Sequence, residues 1–520
     1  MARGIDRTSI EGKEFPTEDF FPVVVIGAGA AGVAAAIETA RLGMRVMLVD
    51  EHPVSSTLVG LDVPYMFGER TTGAVQNKPR MLERVVAARP DLERAFDAGI
   101  DVRLGVYAWG VFVEGPTSRA LPGRLLALAD EERSWLVQFD RLIVAAGARD
   151  LALAFPGWDR PGVMGAQAFG ASVGLYAAFA GRRVLVLGAG ALGLHCVRQA
   201  QAAGIAVEGV VDAGPATADF SASGVPVHAN ARIGAVSGTD ALAVTIIGRD
   251  RTLDIACDTI VCAIDTVPNV EMFDLLGCRM AWNGAAGGHL PVVDEVGRTS
   301  VAGIYAAGDC AGVSDAGIGD GARAGIAGRR AAQAAALDAG VAATIESAPP
   351  VAPGADGDAR RRHWLQAHAD PQLLICRCEE VTQRDLIGVR PPRYLAYNEQ
   401  KFAQRDLRTL AADGPVNQDQ IKRLTRAGMG ACQGRRCREQ VQALLAMQGN
   451  QATGTIAMPS YRAPLRPLPL SVLSAQDETP AVRANWTAWF GIAGQWLPHW
   501  EPVPDNPEYE GGRIFSDVPK

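Results

Sequence analysis

The stretch from Val23 to Gly32, VVVIGAGAAG, limits what this chain can fold into more than any other. Val23, Val24, Val25 and Ile26 read as a short buried strand. Gly27, Gly29 and Gly32 follow at the spacing that turns a strand at once into a helix whose N-terminus receives a pyrophosphate. Gly27 makes the turn, Gly29 admits the phosphate beside Ala30 and Ala31, and Gly32 lets the helix lie close on the strand. The next strand, Val46 to Val49, ends at Asp50 and Glu51, where an acid would hold a ribose hydroxyl. A lone Gly-x-Gly-x-x-Gly fits an ordinary loop equally well. Here strand, glycines, small-residue helix and acid come in order, and dinucleotide binding is the stronger reading.

The pattern recurs. Val184 to Leu187 leads into Gly188, Gly190 and Gly193, and the following strand ends at Asp212. Gly27 stands 23 residues before Asp50 and Gly188 stands 24 before Asp212, a tandem that chance rarely gives. After Asp212 comes AGPATADF, with no Arg or Lys for a 2′-phosphate, so a nicotinamide here would be NAD and not NADP. Two readings stay open: an NAD or adenine-nucleotide site, or a scaffold whose pocket is empty or otherwise occupied.

A chain of 520 residues exceeds one core and predicts several domains. Its 48% hydrophobic and 21% charged residues are those of a globular protein, and 58 glycines fit closely packed α/β units. A net charge of −7 without a basic block gives no reason to expect nucleic acid. The first twenty residues lack the apolar centre of a signal peptide, and no apolar run is long enough to span a membrane. The expected location is the cytoplasm, where nine cysteines read as thiols or metal ligands.

Two later strands end on small residues, Leu142 to Gly147 and Val301 to Gly308-Asp309. With the first fingerprint they resemble the two-dinucleotide-fold flavoprotein oxidoreductases. That resemblance implies FAD held by Gly27, Gly29, Gly32, Asp50, Gly147 and Asp309. It places Asp309 near the ribityl and phosphate and aims the helix from about Gly321 to Ala336 at the flavin ring. The expected domains are FAD binding over 20–150 and 268–345 and a second dinucleotide fold over 151–267. A Pro- and Ala-rich linker follows over 346–370, then a cysteine-bearing domain over 371–447 and an arm and tail over 448–520.

Cys376 and Cys378 form one close pair and Cys432 and Cys437 another. Paired thiolates suit a metal centre, although zinc more often has two residues between the cysteines of a pair. The C-x-C and C-x4-C spacings, with Thr425-Arg-Ala-Gly-Met-Gly ahead of the second, resemble the bacterioferritin-associated-ferredoxin type of [2Fe-2S] domain. Arg377, Arg426, Arg435, Arg436 and Arg438 are placed to offset cluster charge. The interval from about Arg390 to Pro415 is longer than in that family and reads as an inserted loop.

Taken together, from about Pro22 to Ala446, the motifs resemble the larger subunit of bacterial opine oxidases, dye-linked proline and hydroxyproline dehydrogenases, and hydrogen cyanide synthase. Phe155-Pro-Gly-Trp158, Pro268-Asn269, the run Pro291 to Thr299 and the Arg-Pro-Leu-Pro-Leu arm belong to this likeness. It implies an α/β fold class: two tandem Rossmann-like domains, then a small, mostly helical [2Fe-2S] domain and an extended tail. It also implies a partner, a D-amino-acid-oxidase-like flavoprotein subunit that oxidises the amine and passes electrons to this chain. Relatives commonly have Gly-Gly-Gln after the ribose acid; this chain has Asp50-Glu-His-Pro-Val-Ser-Ser-Thr-Leu. The flavin ring would then sit differently, or the pocket would hold an adenine nucleotide alone. FAD is the favoured reading.

Other signals are set aside. Cys257 and Cys262 have the spacing of a redox pair but fall in an expected strand, Ile255 to Ile264, facing opposite sides. Pro53 to Arg80 contains no cysteine, and on that ground a disulfide reductase is rejected. His195 and the other histidines stand beside no nucleophile, and no catalytic acid–base pair is evident. Trp486, Trp489, Trp496 and Trp500 mark either a partner contact or a tail packed on its own domains. Three functions are weighed: an electron-relay subunit of an amine dehydrogenase, an NADH-dependent reductase feeding the cluster, and a nucleotide-stabilised scaffold.

Overall fold

A computed structural model describes residues 17–53, 70–114, 123–313, 321–348, 357–391, 406–474 and 480. The four tail tryptophans and most of the expected insertion after Arg390 lie outside them. The valine run forms the end of β1 (Thr17–Ile26), which passes through Gly27 into α1 (Ala30–Arg41) and returns as β2 (Val46–Asp50). The sheet continues with β3 (Asp101–Leu104), β4 (Tyr107–Phe112), β5 (Arg124–Ala129) and β6 (Ser134–Val144), in spatial order β3-β2-β1-β6-β5-β4. The short strand Ile304–Ala306 pairs in parallel with β6. Val24 lies between Met47 and Leu142, fully buried on both faces as parallel strands are. Because β1, β2, β6 and Ile304–Ala306 run the same way, Gly27, Asp50, Gly147 and Asp309 all stand at one carboxyl edge. Ligands of such sheets bind there.

Helix Ala322–Asp338 packs on α1 at backbone distance, and a Cβ on Gly328 would meet the Ala31 carbonyl oxygen at 1.9 Å. The alanine and glycine content is therefore spent on helix contacts too close for larger side chains.

The second fold begins with β7 (Ala148–Asp150) and β8 (Val163–Gly165) and continues through β9 (Arg183–Leu187), the helix Ala191–Ala202 and β10 (Ala206–Val211). Its parallel sheet has the order Val227–His228, β10, β9, Thr259–Cys262, β8. The single strand expected from Ile255 to Ile264 is two strands. Thr252–Cys257 joins an antiparallel three-stranded sheet and Thr259–Cys262 the parallel one. Asp258 makes the break, its carboxylate accepting the Arg182 and Arg183 amides at 2.8 and 2.9 Å. Cys257 and Cys262 thus sit in different sheets, both buried, and burial pushes the Cys257 thiol up to about 12.

Within 346–370, expected as a linker, residues Gly357–Ala367 form a helix. Its charged run hides Trp364, which is 1% exposed, meets Phe155 edge-on at 6.1 Å and donates to the Ala154 carbonyl at 3.2 Å. Beyond it a two-stranded ribbon, Leu374–Cys376 with Val381–Thr382, carries Cys376 and, in its turn, Cys378, and the loop between helices Gln418–Thr425 and Arg438–Gln448 carries Cys432 and Cys437. Among the described residues no helix is long and apolar enough to cross a membrane.

Candidate cofactor and cluster site

The first fingerprint opens onto a cavity of about 670 Å³. Gly27 has φ +97°, and a Cβ there would meet the Ala145 carbonyl oxygen at 2.2 Å; one on Gly32 would meet the Gly27 oxygen at 1.7 Å. Both positions need glycine for close approach. Around Gly29 nothing lies within 4 Å of such a carbon, so the turn presents its open side to the cavity. The Asp50 carboxylate accepts the Ala28 amide at 2.5 Å and the His52 amide at 2.8 Å, tying the end of β2 to the glycine turn. Asn269 holds the other wall, donating its side chain to the Ala146 carbonyl at 2.8 Å and its amide to that of Gly147 at 3.0 Å.

Of the residues expected in the first nucleotide site, Gly27, Gly29, Asp50, Glu51, Gly147 and Asp309 line this cavity. Ala30, Ala31, Gly32 and Gly308 sit behind it, in the first turn of α1 and against that turn. The void, the glycine approach and the acid at the end of β2 fit an adenine dinucleotide such as FAD.

Four arginines unmarked by the nucleotide motifs also face the cavity: Arg89, Arg149, Arg435 and Arg466. Arg466 comes from the proline-rich arm and forms an ion pair with Glu51. Burial would raise Glu51, but Arg466, His52 and Arg435 hold it below the usual carboxylate range. The arm is fixed by the Leu465 amide to the Trp109 carbonyl at 2.6 Å and by Arg435 donating to the Leu465 carbonyl. A carboxyl missed at the sequence level, Asp150, also lines the cavity. Burial pushes it up to about 7, although the Gln167 and Ala168 amides donate to it at 2.8 and 3.3 Å.

Arg149 belongs to a buried network that joins the two sites. It pairs with Glu271 at 3.1 Å and Glu439 at 2.7 Å, and Arg438 pairs with the same two carboxylates. All four side chains are at most 7% exposed. Burial alone would raise Glu271, but the guanidiniums of Arg149, Arg438 and Arg435 hold it down to about 2. Removing one carboxylate leaves two buried cations on the other, so Glu439→Ala is expected to cost about 3–5 kcal/mol, read from the urea midpoint. A depressed carboxylate stabilises the fold above its unfolded value near 4.5 and loses that contribution as pH falls toward about 2. Wild-type stability should therefore decline below about pH 4.5, and less steeply in Glu439→Ala.

The four paired cysteines meet as two couples, Cys376 with Cys437 and Cys378 with Cys432. In each couple one thiol is drawn down by the other's hydrogen bond, Cys432 to about 6 and Cys376 below its usual value. The loop is a cradle for them. The Gly428 amide points at the Cys376 sulfur at 3.4 Å, and a Cβ on Gly430 would meet the Cys378 Cβ at 2.4 Å. Among the described residues no three donors converge on one point. A two-iron cluster held by four thiolates takes only two at each iron, so the couples fit it. Cys376, Cys432 and Cys437 are buried and Cys378 is exposed, leaving one thiol of the four at the surface. Of the arginines expected to balance cluster charge, Arg426 is paired with Glu379 at 2.6 Å and Arg438 belongs to the network above. The charge of Arg436 reaches Cys432 and Cys378 directly.

At the second fingerprint, none of Gly188, Gly190, Gly193 and Asp212 lines the cavity, although Leu192, His195 and Gln199 of the same helix do. The turn is instead covered by helix Gly357–Ala367. Arg360 lies 3.1 Å and Thr217 3.4 Å from where a Gly190 Cβ would be, and His363 bonds the Ala213 carbonyl at 2.8 Å. The Asp212 carboxylate accepts the Ala189 and Gly214 amides at 2.8 Å, the same arrangement that Asp50 has with Ala28 and His52.

Two Rossmann-like folds with a nucleotide cavity at the carboxyl edge of the first define a flavin-type oxidoreductase of the two-dinucleotide-fold class. Residues 21–340 match the pyridine nucleotide-disulphide oxidoreductase family, and the chain belongs to it. The family shares the two-dinucleotide fold expected from the motifs, here without a cysteine pair between Pro53 and Arg80. Residues 398–477 match the sarcosine oxidase A3 domain. The chain is 26% identical to the A subunit of opine oxidase from Agrobacterium tumefaciens (strain Ach5), over 89% of this chain and 93% of that protein. It is 27% identical to the HcnB subunit of hydrogen cyanide synthase from Pseudomonas aeruginosa, over 80% of this chain and 90% of that one. Among solved structures, L-proline dehydrogenase from P. horikoshii superposes with a TM-score of 0.61 at 19% identity, covering 88% of this chain and 81% of that one. The resemblance drawn from the motifs is borne out by these relatives.

Proposed function

We propose that this chain is the electron-transfer subunit of a heteromeric amine or amino-acid dehydrogenase, with FAD in the first cavity and a [2Fe-2S] cluster on Cys376, Cys378, Cys432 and Cys437. The observation that carries the reading is the shared wall: Arg435 faces the cavity and lies on the loop between Cys432 and Cys437. Bound there, FAD would supply two-electron uptake and the cluster one-electron release. The chain's own residues bind and position. Gly29 would bring backbone to the pyrophosphate, with Gly27 and Gly32 setting the turn and the helix behind it, Asp50 would face the ribose and Asp309 the ribityl side, and the Arg149–Glu271–Arg438–Glu439 network keeps the cysteine domain against the cavity. A D-amino-acid-oxidase-like flavoprotein partner would oxidise the amine. Among relatives, HcnB and its opine oxidase counterpart are by name subunits of larger enzymes. Arg360 over Gly190 favours a scaffold role for the second fold and speaks against NADH as donor.

The test is the visible spectrum of purified protein before and after acid precipitation, with iron analysis. Released flavin, about two irons per chain, co-purification of a second flavoprotein and dye reduction by an amine only with that partner are expected. Full-rate amine oxidation by the isolated chain would overturn the division of labour, and rapid flavin bleaching by NADH would favour a reductase.

A further inference from the structure

Arg435 does more than line a wall. It is 5% exposed, faces the cavity, and sits three residues after Cys432 and two before Cys437. Its guanidinium donates to the Cys432 carbonyl at 3.4 Å and to the Leu465 carbonyl of the arm, while its own carbonyl accepts from Arg149 at 3.1 Å. Four pieces of structure therefore meet at one residue: cavity, cysteine loop and arm at its side chain, and the buried ion network at its carbonyl. The other cavity arginines divide differently. Arg149 is held by Glu271 and Glu439, Arg466 by Glu51, and Arg89 by Asp91, and none of these three stands on the cysteine loop. A charge fixed in a confined, poorly solvated space acts on whatever charge develops there.

We propose that Arg435 is a positioning residue that couples the two cofactor sites, its cation facing the nucleotide cavity while the same guanidinium anchors the carbonyl of a cluster ligand. Negative charge gained in the cavity draws on a group that also sets the geometry of the Cys432–Cys437 loop. A coupling free energy is reciprocal, so the state of the cluster must then alter the flavin as the flavin alters the cluster. This inference rests on the FAD and [2Fe-2S] assignment above.

The test is an equilibrium redox titration of the holo-protein with flavin and iron content measured alongside, on wild type, Arg435→Gln and Arg435→Lys. Glutamine hydrogen-bonds without charge; lysine keeps the charge but on one nitrogen, without the two-nitrogen fork by which Arg435 reaches the Cys432 and Leu465 carbonyls. Arg435→Gln should move the sharing of one electron between flavin and cluster about tenfold toward the cluster, which is about 59 mV for a one-electron couple. It should also abolish the dependence of the cluster's EPR signal on flavin redox state. Arg435→Lys should leave the flavin within about threefold of wild type and change the EPR line shape, because the Cys432 carbonyl loses its fixed donor. Full cofactor content with wild-type titrations and EPR in both variants would overturn the coupling, as would equal shifts in the two. Should Arg435→Gln shed a cofactor, Arg435→Lys decides alone: an unchanged line shape overturns the proposal. Wild-type protein without flavin or iron would overturn the cofactor assignment itself, a different failure.

Discussion

Gly29→Val should give a chain that folds and keeps its iron but retains less than about one tenth of the wild-type flavin. The backbone at Gly29 is extended, with φ −66° and ψ 179°, a conformation valine adopts readily. Nothing lies within 4 Å of the position its Cβ would take, so the protein alone has no reason to resist the change. The empty space is on the cavity side, and a pyrophosphate approaching the turn would need it. Gly32→Ala is the contrasting case. Its methyl would stand 1.7 Å from the Gly27 oxygen, forcing helix from strand at a cost of about 1–3 kcal/mol and about 10- to 100-fold in nucleotide affinity. Thermal melting of the flavin-free proteins separates the two: Gly29→Val should melt with wild type and Gly32→Ala below it. Normal flavin in Gly29→Val would remove the pyrophosphate from this turn and the FAD assignment with it.

The difference between those two glycines marks how far local sequence pattern reaches. Parallel strands buried on both faces appear as unbroken apolar runs, and a glycine triplet of fixed spacing appears as a turn. The first fold and the positions of Gly27, Asp50, Gly147 and Asp309 are therefore legible in the sequence itself. The second fold is equally legible as a fold and not as a site. Whether its phosphate position is open depends on Arg360, 170 residues downstream of Gly190, and no local pattern tells a helix to lie across a distant turn.

Asp258 shows the same limit on a smaller scale. One polar residue inside an apolar run is tolerated in many strands, but here its carboxylate caps two amides and sends the chain into a different sheet. The helix Gly357–Ala367 is masked by composition: a stretch rich in Pro, Ala and charge reads as a linker until Trp364 is seen buried against Phe155. Arg149 carries no motif of its own, and its role exists only because Glu271 and Glu439, far apart in sequence, reach it together.

Cys432→Ser should remove the iron–sulfur absorbance and EPR signal almost completely while flavin content stays at the wild-type level, and dye reduction through the complex should fall by about two orders of magnitude or more. Serine is a smaller, harder donor whose hydroxyl stays protonated, so the couple with Cys378 offers one sulfur donor instead of two. Position matters as much as chemistry. Cys432 is 2% exposed on the Arg435 loop beside the cavity, whereas Cys378 is exposed at the far side of its couple. A water molecule can approach a vacated ligand position at Cys378 but not at Cys432. Cys378→Ser should accordingly keep part of the cluster signal, with a shifted line shape, and lose iron slowly in the presence of a chelator. The two variants bear on separate parts of the reading. Iron retained in full by Cys432→Ser would remove Cys432 from the cluster's ligands and overturn the four-cysteine assignment. Loss of iron with dye reduction intact would keep the cluster and move the path of electrons elsewhere.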